Sequence, residues 1–362
     1  MAPTSNTDQG LLSGPEPGMD PTAAPEWWLT KPNEIRAFLE SLPGVEVEQI
    51  GHTAGGRPLI AASFGPREML PGRTSRSLGS AIAARDLTAF YGQGERDHQL
   101  LLFVGATHGT ELEGTVAALN YLSVLVTGQD LVGRPWPQMA EAGRRHRLVI
   151  IPILNVDGRE RFADHVHWIG CDPDYQSMVT MGQLSDGKVL HWPEGKVDYP
   201  IPRDRMRVLG SYYNDAGFNL VYDSVPGPDV QPETQALMAY CLGELPDCVL
   251  FSHSDNGSLV QPASPYTPHA FRQRSDLIGG AVGARCAREG LVKHSVPLPT
   301  LYAGDYYCQT DAAYHTYGAL PIAIEFPCGW QGVPGTHEAI LDIGLTVLDE
   351  VAVFGARYRF RP

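Results

Sequence analysis

The sequence predicts an α/β protein whose central sheet is covered by helices on both faces. Two observations carry this. Short apolar runs bounded by turn residues, at 100–104, 147–154, 248–252 and 321–326, read as buried strands, not as strands with one wet face. Segments with apolar residues at helical spacing fall between and around them, so strand and helix alternate along the chain. Hydrophobic residues make up 43% of the 362 positions and charged residues 19%, close to globular averages, which excludes a disordered or fibrous chain.

The elements follow in order. Residues 1–25 are rich in Pro, Gly, Ser and Thr without apolar periodicity, and are expected to be disordered or draped over the surface. Thr30 precedes a helix carrying Ile35, Phe38, Leu39 and Leu42, which stops at Pro43-Gly44. Val45 and Val47 alternate with Glu46 and Glu48, and a Gly-rich turn then leads into 59–64, which predicts a hairpin. The strand at 100–104 runs into the loop Gly105-Ala106-Thr107-His108-Gly109. Thr110 and Glu113 then form a capping-box pattern that opens a helix with Leu112, Val116, Leu119 and Leu122 on one side. The strand at 147–154 is stopped by Asn155-Val156-Asp157-Gly158. Residues 159–216 show no sustained period and read as irregular. Helices are predicted at 232–243, 270–289 and 337–353, and strands at 248–252, ending at His253, and at 321–326.

Charge and composition exclude several functions. With 27 Lys and Arg against 41 Asp and Glu, the formal net charge is -14, so a general affinity for nucleic acid or for anionic lipid is not expected. No run of about 18 apolar residues exists to span a membrane. The first 30 residues hold no Lys or Arg, so neither a signal peptide nor a transit peptide is expected. The 6 Cys form no CxxC pair and read as reduced thiols, which points to a cytoplasmic protein.

Three strand ends carry the chemistry, since ligands in such folds collect beyond the carboxyl ends of strands. His108-Gly109-Thr110-Glu111 places an imidazole and a carboxylate where a strand turns into a helix, and His253 ends a second strand. Two histidines and a carboxylate suit zinc, which in a catalytic site takes three protein ligands and keeps one position open. A second HxxE, His191-Trp192-Pro193-Glu194, has no strand before it and is read as coincidence. In the last strand Ile322, Ile324 and Phe326 point one way and Ala323 and Glu325 the other. A carboxylate in an apolar strand is costly unless paired or functional, so Glu325 is either half of a salt bridge to an Arg or a general base.

Together with further motifs, this set resembles the zinc carboxypeptidases typified by carboxypeptidase A. Gly51-His52-Thr53-Ala54-Gly55-Gly56-Arg57-Pro58 is similar to the family's G-x-S-x-x-G-R-P loop, and the turn at Asn155-Val156-Asp157-Gly158 to its N-P-D-G. Ser252-His253-Ser254 matches the third-ligand segment, and Asp311-Ala312-Ala313-Tyr314 followed by Glu325 reproduces the D-x-x-Y spacing before the catalytic Glu. The resemblance spans about residues 27–355. It implies one catalytic domain over 26–362 built on a mixed, mostly parallel sheet, with one Zn2+ per chain held by His108, Glu111 and His253. Glu325 would take a proton from the attacking water, and an Arg would stabilise the oxyanion. Arg203, Arg205 and Arg207 lie in the corresponding region, with Arg205 favoured. Tyr302 lies one residue from the family's capping Tyr, with Tyr306 and Tyr307 as alternatives. Thr310 and Asp311 would sit at the pocket floor.

The sequence departs from the family at Gly217-Phe218-Asn219-Leu220-Val221-Tyr222, where the family has G-x-D-x-N-R. Val221-Tyr222 cannot grip a substrate's terminal carboxylate in the bidentate way of an Asn-Arg pair. Asn219 replaces a carboxylate that would orient the first histidine. Two versions of a zinc hydrolase follow. One is a carboxypeptidase whose anchor has moved to Arg159 or Arg161. The other is an amidase or deacylase acting on a small or C-terminally modified substrate. A non-catalytic binding module is the third reading. The partner expected is a peptide or small amide, and the sequence leaves the oligomeric state open.

Overall fold

The computed structural model describes residues 24–70, 82–83, 85, 96–191, 194, 201–224, 230–255, 259–261, 263–264, 266–291, 308–329 and 335–362. The predicted N-terminal segment therefore lies almost wholly outside the described residues. Helix α1 (Pro32–Ser41) starts on Pro32, whose fixed φ suits a first helical position, and buries Ile35 and Leu39. Strands β1 (Glu46–His52) and β2 (Pro58–Phe64) form the predicted antiparallel hairpin.

All six residues of β3 (Gln99–Val104) are buried, and successive side chains point to opposite faces, so the sheet is covered on both sides here. Helices α2 (Glu113–Thr127) and α3 (Pro137–Gly143) lead to β4 (His146–Ile151), again buried throughout. That strand ends three residues before the predicted limit because Pro152 has no N–H for the ladder.

Residues 159–216, predicted as irregular, hold short elements. Helix α4 (Val156–Arg161) is capped by the Asn155 side chain on the Gly158 N–H, and α5 (Pro173–Thr180) by Asp172 on two N–H groups. Strands β5 (Gly182–Leu184) and β6 (Met206–Leu209) pair as a small antiparallel ladder. Elements this short are set by caps and tertiary contacts and leave no hydrophobic period to read. Next come α6 (Pro232–Glu244), β7 (Cys248–Ser254), α7 (His269–Arg288), α8 (Gln309–Tyr317), β8 (Leu320–Phe326) and α9 (His337–Arg357).

The main sheet runs β1-β2-β4-β3-β7-β8. Its β4, β3, β7 and β8 are mutually parallel, while β2 joins β4 antiparallel, which makes the sheet mixed and mostly parallel as expected. From β3 the chain first adds β4 on one side and later returns to add β7 on the other. Connections leaving neighbouring parallel strands in opposite directions open a crevice at their carboxyl ends. His108 follows β3, and His253 and Glu325 lie near the carboxyl ends of β7 and β8, so all three border that crevice.

One local expectation fails. Helix α2 begins at Glu113, with Leu112 at the N-cap and no side-chain capping bond. The Thr110 hydroxyl bonds Ser211 Oγ at 2.7 Å, and the Glu113 carboxylate accepts from Ser254 Oγ, so both members of the predicted capping box are spent elsewhere.

Candidate metal centre

The loop leaving β3 is held in a demanding backbone path. Ala106 has φ 42°, in the left-handed region that costs a non-glycine residue energy. A Cβ on Gly109 would lie 2.2 Å from the Arg159 nitrogen, so glycine alone lets this loop lie against the Gly158-Arg159 backbone. The Gly109 N–H donates to the Ser211 carbonyl at 2.9 Å. These contacts fix His108 and Glu111 opposite His253. In the parallel register β7 to β8, His253 pairs with Glu325, so the two side chains stand side by side on one face, one strand spacing apart.

His108 Nδ1 lies 2.8 Å from Glu111 Oε1, and His253 Nδ1 lies 3.1 Å from Glu111 Oε2. One ligand atom from each of the three residues falls within 4.8 Å of the others. All three are buried. Burial by itself would push the Glu111 carboxyl up, but the adjacent His108 and His253 imidazoles outweigh it and hold the group well below the usual carboxylate range. The Tyr212 ring stacks on His108 at 3.5 Å and 4°. Burial, then the charge of Glu111 and a hydrogen bond to it, raise the Tyr212 phenol well above its ordinary value, so the hydroxyl stays a donor.

The orientation of His108 fits a cation at Nδ1. Its Nε2 lies 3.3 Å from Asn219 Oδ1, and that oxygen also accepts the Val221 N–H at 3.0 Å, which identifies it as the acceptor. With a cation bound the His108 proton would reside on Nε2 and its Nδ1 lone pair would be the ligand; without one, Nδ1 carries a proton toward the Glu111 carboxylate. Asn219 thus stands where the sequence placed it. Two imidazole nitrogens and an ionised carboxylate are the donor set that zinc takes in catalytic sites.

Behind the centre, Glu113 is fully enclosed. Burial, offset in part by Ser254 and reinforced by the charge of Glu111, pushes its carboxyl up to about 8. On the other side, Gln309 brings its Nε2 to 3.1 Å from His253 Nε2. The sequence marked Glu113 only as a helix-capping residue and gave no signal for Tyr212 or Gln309, because each reaches the centre through a tertiary contact and not through spacing.

The proposed anchors do not survive. Arg159 is fully buried, and its guanidinium donates to the carbonyls of Thr30, Phe162, Ala163 and His165. It braces the chain and cannot meet a substrate. Arg161 pairs with Asp215 at 2.6 Å and donates to the carbonyls of Gly210 and Tyr213. Asp215 and Asp157 also share Arg57, so these charges tie the Gly55–Arg57 turn to α4. Asp311 is likewise fully buried, its carboxylate accepting the Cys308 N–H to close the capping box of α8, so it is a helix cap and not a pocket floor. Thr310 is half-buried, its hydroxyl 2.9 Å from Cys308 Sγ.

Arg203, Arg205 and Arg207 are all exposed. The Arg205 carbonyl is tied to Ser185, whereas the Arg203 stem would lie 3.0 Å from a Cβ on Gly217, two residues before Asn219. Val221 and Tyr222 sit half-buried in the turn after Asn219. Tyr302, with Tyr306 and Tyr307, lies outside the described residues. His191 and Glu194 of the second HxxE are exposed, and Glu194 pairs with Lys188, in keeping with a chance match.

Two histidines and one carboxylate converging in the crevice of a mixed α/β sheet form a centre of the kind that zinc-dependent hydrolases use. The chain belongs to the zinc carboxypeptidase family, whose model matches residues 33–266 and so includes His108, Glu111 and His253 but not Glu325. It is accordingly a zinc metallopeptidase by membership, in a zinc-dependent family. A metallo-carboxypeptidase from Burkholderia cenocepacia superposes with a TM-score of 0.52 at 16% identity, over 89% of this chain and 68% of that one. A metallo-carboxypeptidase from Pseudomonas aeruginosa, solved with (2-guanidinoethylmercapto)succinic acid, gives 0.52 at 14% identity, over 89% and 68%. The carboxypeptidase A of Helicoverpa armigera gives 0.51 at 15% identity, over 91% and 74%. A comparison with curated proteins found no match. Among the described residues no helix is long and apolar enough to cross a membrane.

Proposed function

We propose that the protein hydrolyses a peptide or related amide bond with one zinc ion held by His108, Glu111 and His253 and with Glu325 as general base. The observation that carries this is the convergence of three buried donors within 4.8 Å, with Glu325 in register beside one of them. When bound, zinc supplies Lewis-acid polarisation of the scissile carbonyl and acidifies a water. Glu325 accepts a proton from the attacking water as its oxygen bonds the carbonyl carbon. It then passes that proton to the leaving nitrogen as the C–N bond breaks. A guanidinium from the exposed 203–207 stretch offsets the oxyanion charge. Arg205 is the candidate from the resemblance, and the Arg203 stem packs against Gly217, two residues before Asn219. The six free cysteines suit a reducing, cytoplasmic setting.

A specific observation favours substrates without a free terminal carboxylate. The family's Asn-Arg pair is Val221-Tyr222, and both candidate replacements, Arg159 and Arg161, spend their N–H groups on the protein itself. A charge-assisted contact to a carboxylate contributes about 1.5–3 kcal/mol, equivalent to roughly ten- to a hundredfold in kcat/KM. Turnover of paired peptides with free and amidated C-termini tests this. The proposal expects the two to differ by less than about tenfold, and a free-acid preference of about a hundredfold would place an anchor on another residue.

A further inference from the structure

We propose that Gln309 is a positioning residue for the metal centre, its amide oxygen accepting the Nε2–H of His253. The inference rests on the zinc reading above and assigns a part of that site which the family motifs do not contain.

An imidazole that gives its Nδ1 lone pair to a cation must carry its proton on Nε2 and needs an acceptor there. For His108 that acceptor is Asn219 Oδ1. For His253 the Gln309 amide is in reach, its Nε2 standing 3.1 Å from the imidazole Nε2. Gln309 is buried, and the rest of its amide faces Thr107 Oγ1, which lies 3.4 Å from Nε2 and 3.5 Å from Oε1. A hydroxyl both donates and accepts, so it can partner either end of the amide. Turning Gln309 so that Oε1 meets His253 and the NH2 group meets Thr107 therefore keeps both bonds. In the opposite orientation the NH2 group donates to a bare Nε2, which puts the His253 proton on Nδ1, against Glu111. The amide thus suits both forms of the centre, with the oxygen turned to His253 in the metal-bearing one.

Gln309 is itself held where this requires. It is the first residue of α8, behind the Cys308–Asp311 capping box, and its backbone N–H donates to the Val221 carbonyl at 3.0 Å. The Val221 N–H in turn donates to Asn219 Oδ1, the atom that supports His108. One turn therefore supports both imidazoles, and Val221, where the family has the substrate-gripping Asn, is the residue that links them. Both supports are neutral amides, which raise ligand basicity less than a carboxylate does.

The test is zinc affinity of the purified full chain, measured by competition with a chromophoric chelator, for wild type, Gln309→Met and Gln309→Glu. Cobalt(II) absorption serves as a second readout of ligand geometry. Loss of such a supporting partner costs about 10–100-fold in metal affinity. Gln309→Met, which keeps the volume, should weaken zinc by that factor and shift the cobalt bands. Gln309→Glu should restore wild-type affinity or exceed it. A Met variant within twofold of wild type, or a Glu variant no tighter than the Met variant, would reduce Gln309 to a helix-end residue and overturn the proposal. Wild-type protein that takes up no zinc would instead overturn the metal assignment itself, and the two failures are distinct.

Discussion

Replacing Arg159 by Met separates a brace from an anchor. The wild-type guanidinium makes hydrogen bonds of 3.0, 2.9, 2.7 and 2.8 Å to the carbonyls of Thr30, Phe162, His165 and Ala163. Burial draws the Arg159 guanidinium down to about 10, so it remains charged at neutral pH. Methionine keeps much of the volume but none of the donors. The Phe162 carbonyl still accepts the His165 N–H at 3.0 Å, which leaves the buried Thr30 and His165 carbonyls and the half-buried Ala163 carbonyl without a partner among the described residues. The two orphaned buried acceptors cost about 1–3 kcal/mol each, for a total of about 2–6 kcal/mol, and the Ala163 carbonyl can turn to water. That is a large fraction of the roughly 5–15 kcal/mol that holds a typical domain together. Urea denaturation should show the midpoint falling steeply, while kcat/KM measured well below the new transition, and its ratio between free-acid and amidated peptides, stays near wild type. An unchanged midpoint with a tenfold or greater loss on the free acid alone would refute the bracing role and restore Arg159 as an anchor.

Other expectations follow from the same geometry. Glu325→Gln should retain zinc yet lose about 10²–10⁴-fold in kcat, the scale of a general base; near wild-type turnover would move the base elsewhere. Alanine at Arg203, Arg205 and Arg207 in turn should lower kcat by about 10²–10³-fold at one position only, and three silent variants would remove this stretch from the mechanism. His165 is buried with neither ring nitrogen hydrogen-bonded, and burial, then the charges of Arg159 and His167, hold its pKa well below 6.5. Its neutral form is the folded one, so its contribution is complete above pH about 6.5 and is lost as the pH falls below that, where only the unfolded chain takes the proton. Denaturation midpoints of wild type should therefore drop toward acid more steeply than those of His165→Phe, and parallel profiles would contradict the assignment.

The parts of the centre on strands were legible in the sequence, and those reached through packing were not. Leu100 to Val104 is apolar without interruption because both faces of β3 are covered, and its end pointed directly at His108. The alternation of Ile324 and Phe326 with Glu325 gave the face of the carboxylate, and the register beside His253 agrees with it. Arg159 was misjudged because a six-residue helix gives no pattern to tell a buried Arg from an exposed one. Thr110 and Glu113 matched a capping box, but Ser211 and Ser254, distant in sequence, claimed their side chains. Tyr212 and Gln309 depend on ring stacking and on a helix start whose places only the fold sets.

Metal stoichiometry of the purified protein tests the central claim most directly. Wild-type chain equilibrated with zinc and freed of excess should hold one ion per chain, and His253→Ala, folded by circular dichroism, should hold almost none while losing its turnover. Full zinc occupancy in that variant, or none in the wild type, would contradict the assignment of His108, Glu111 and His253 as the metal ligands.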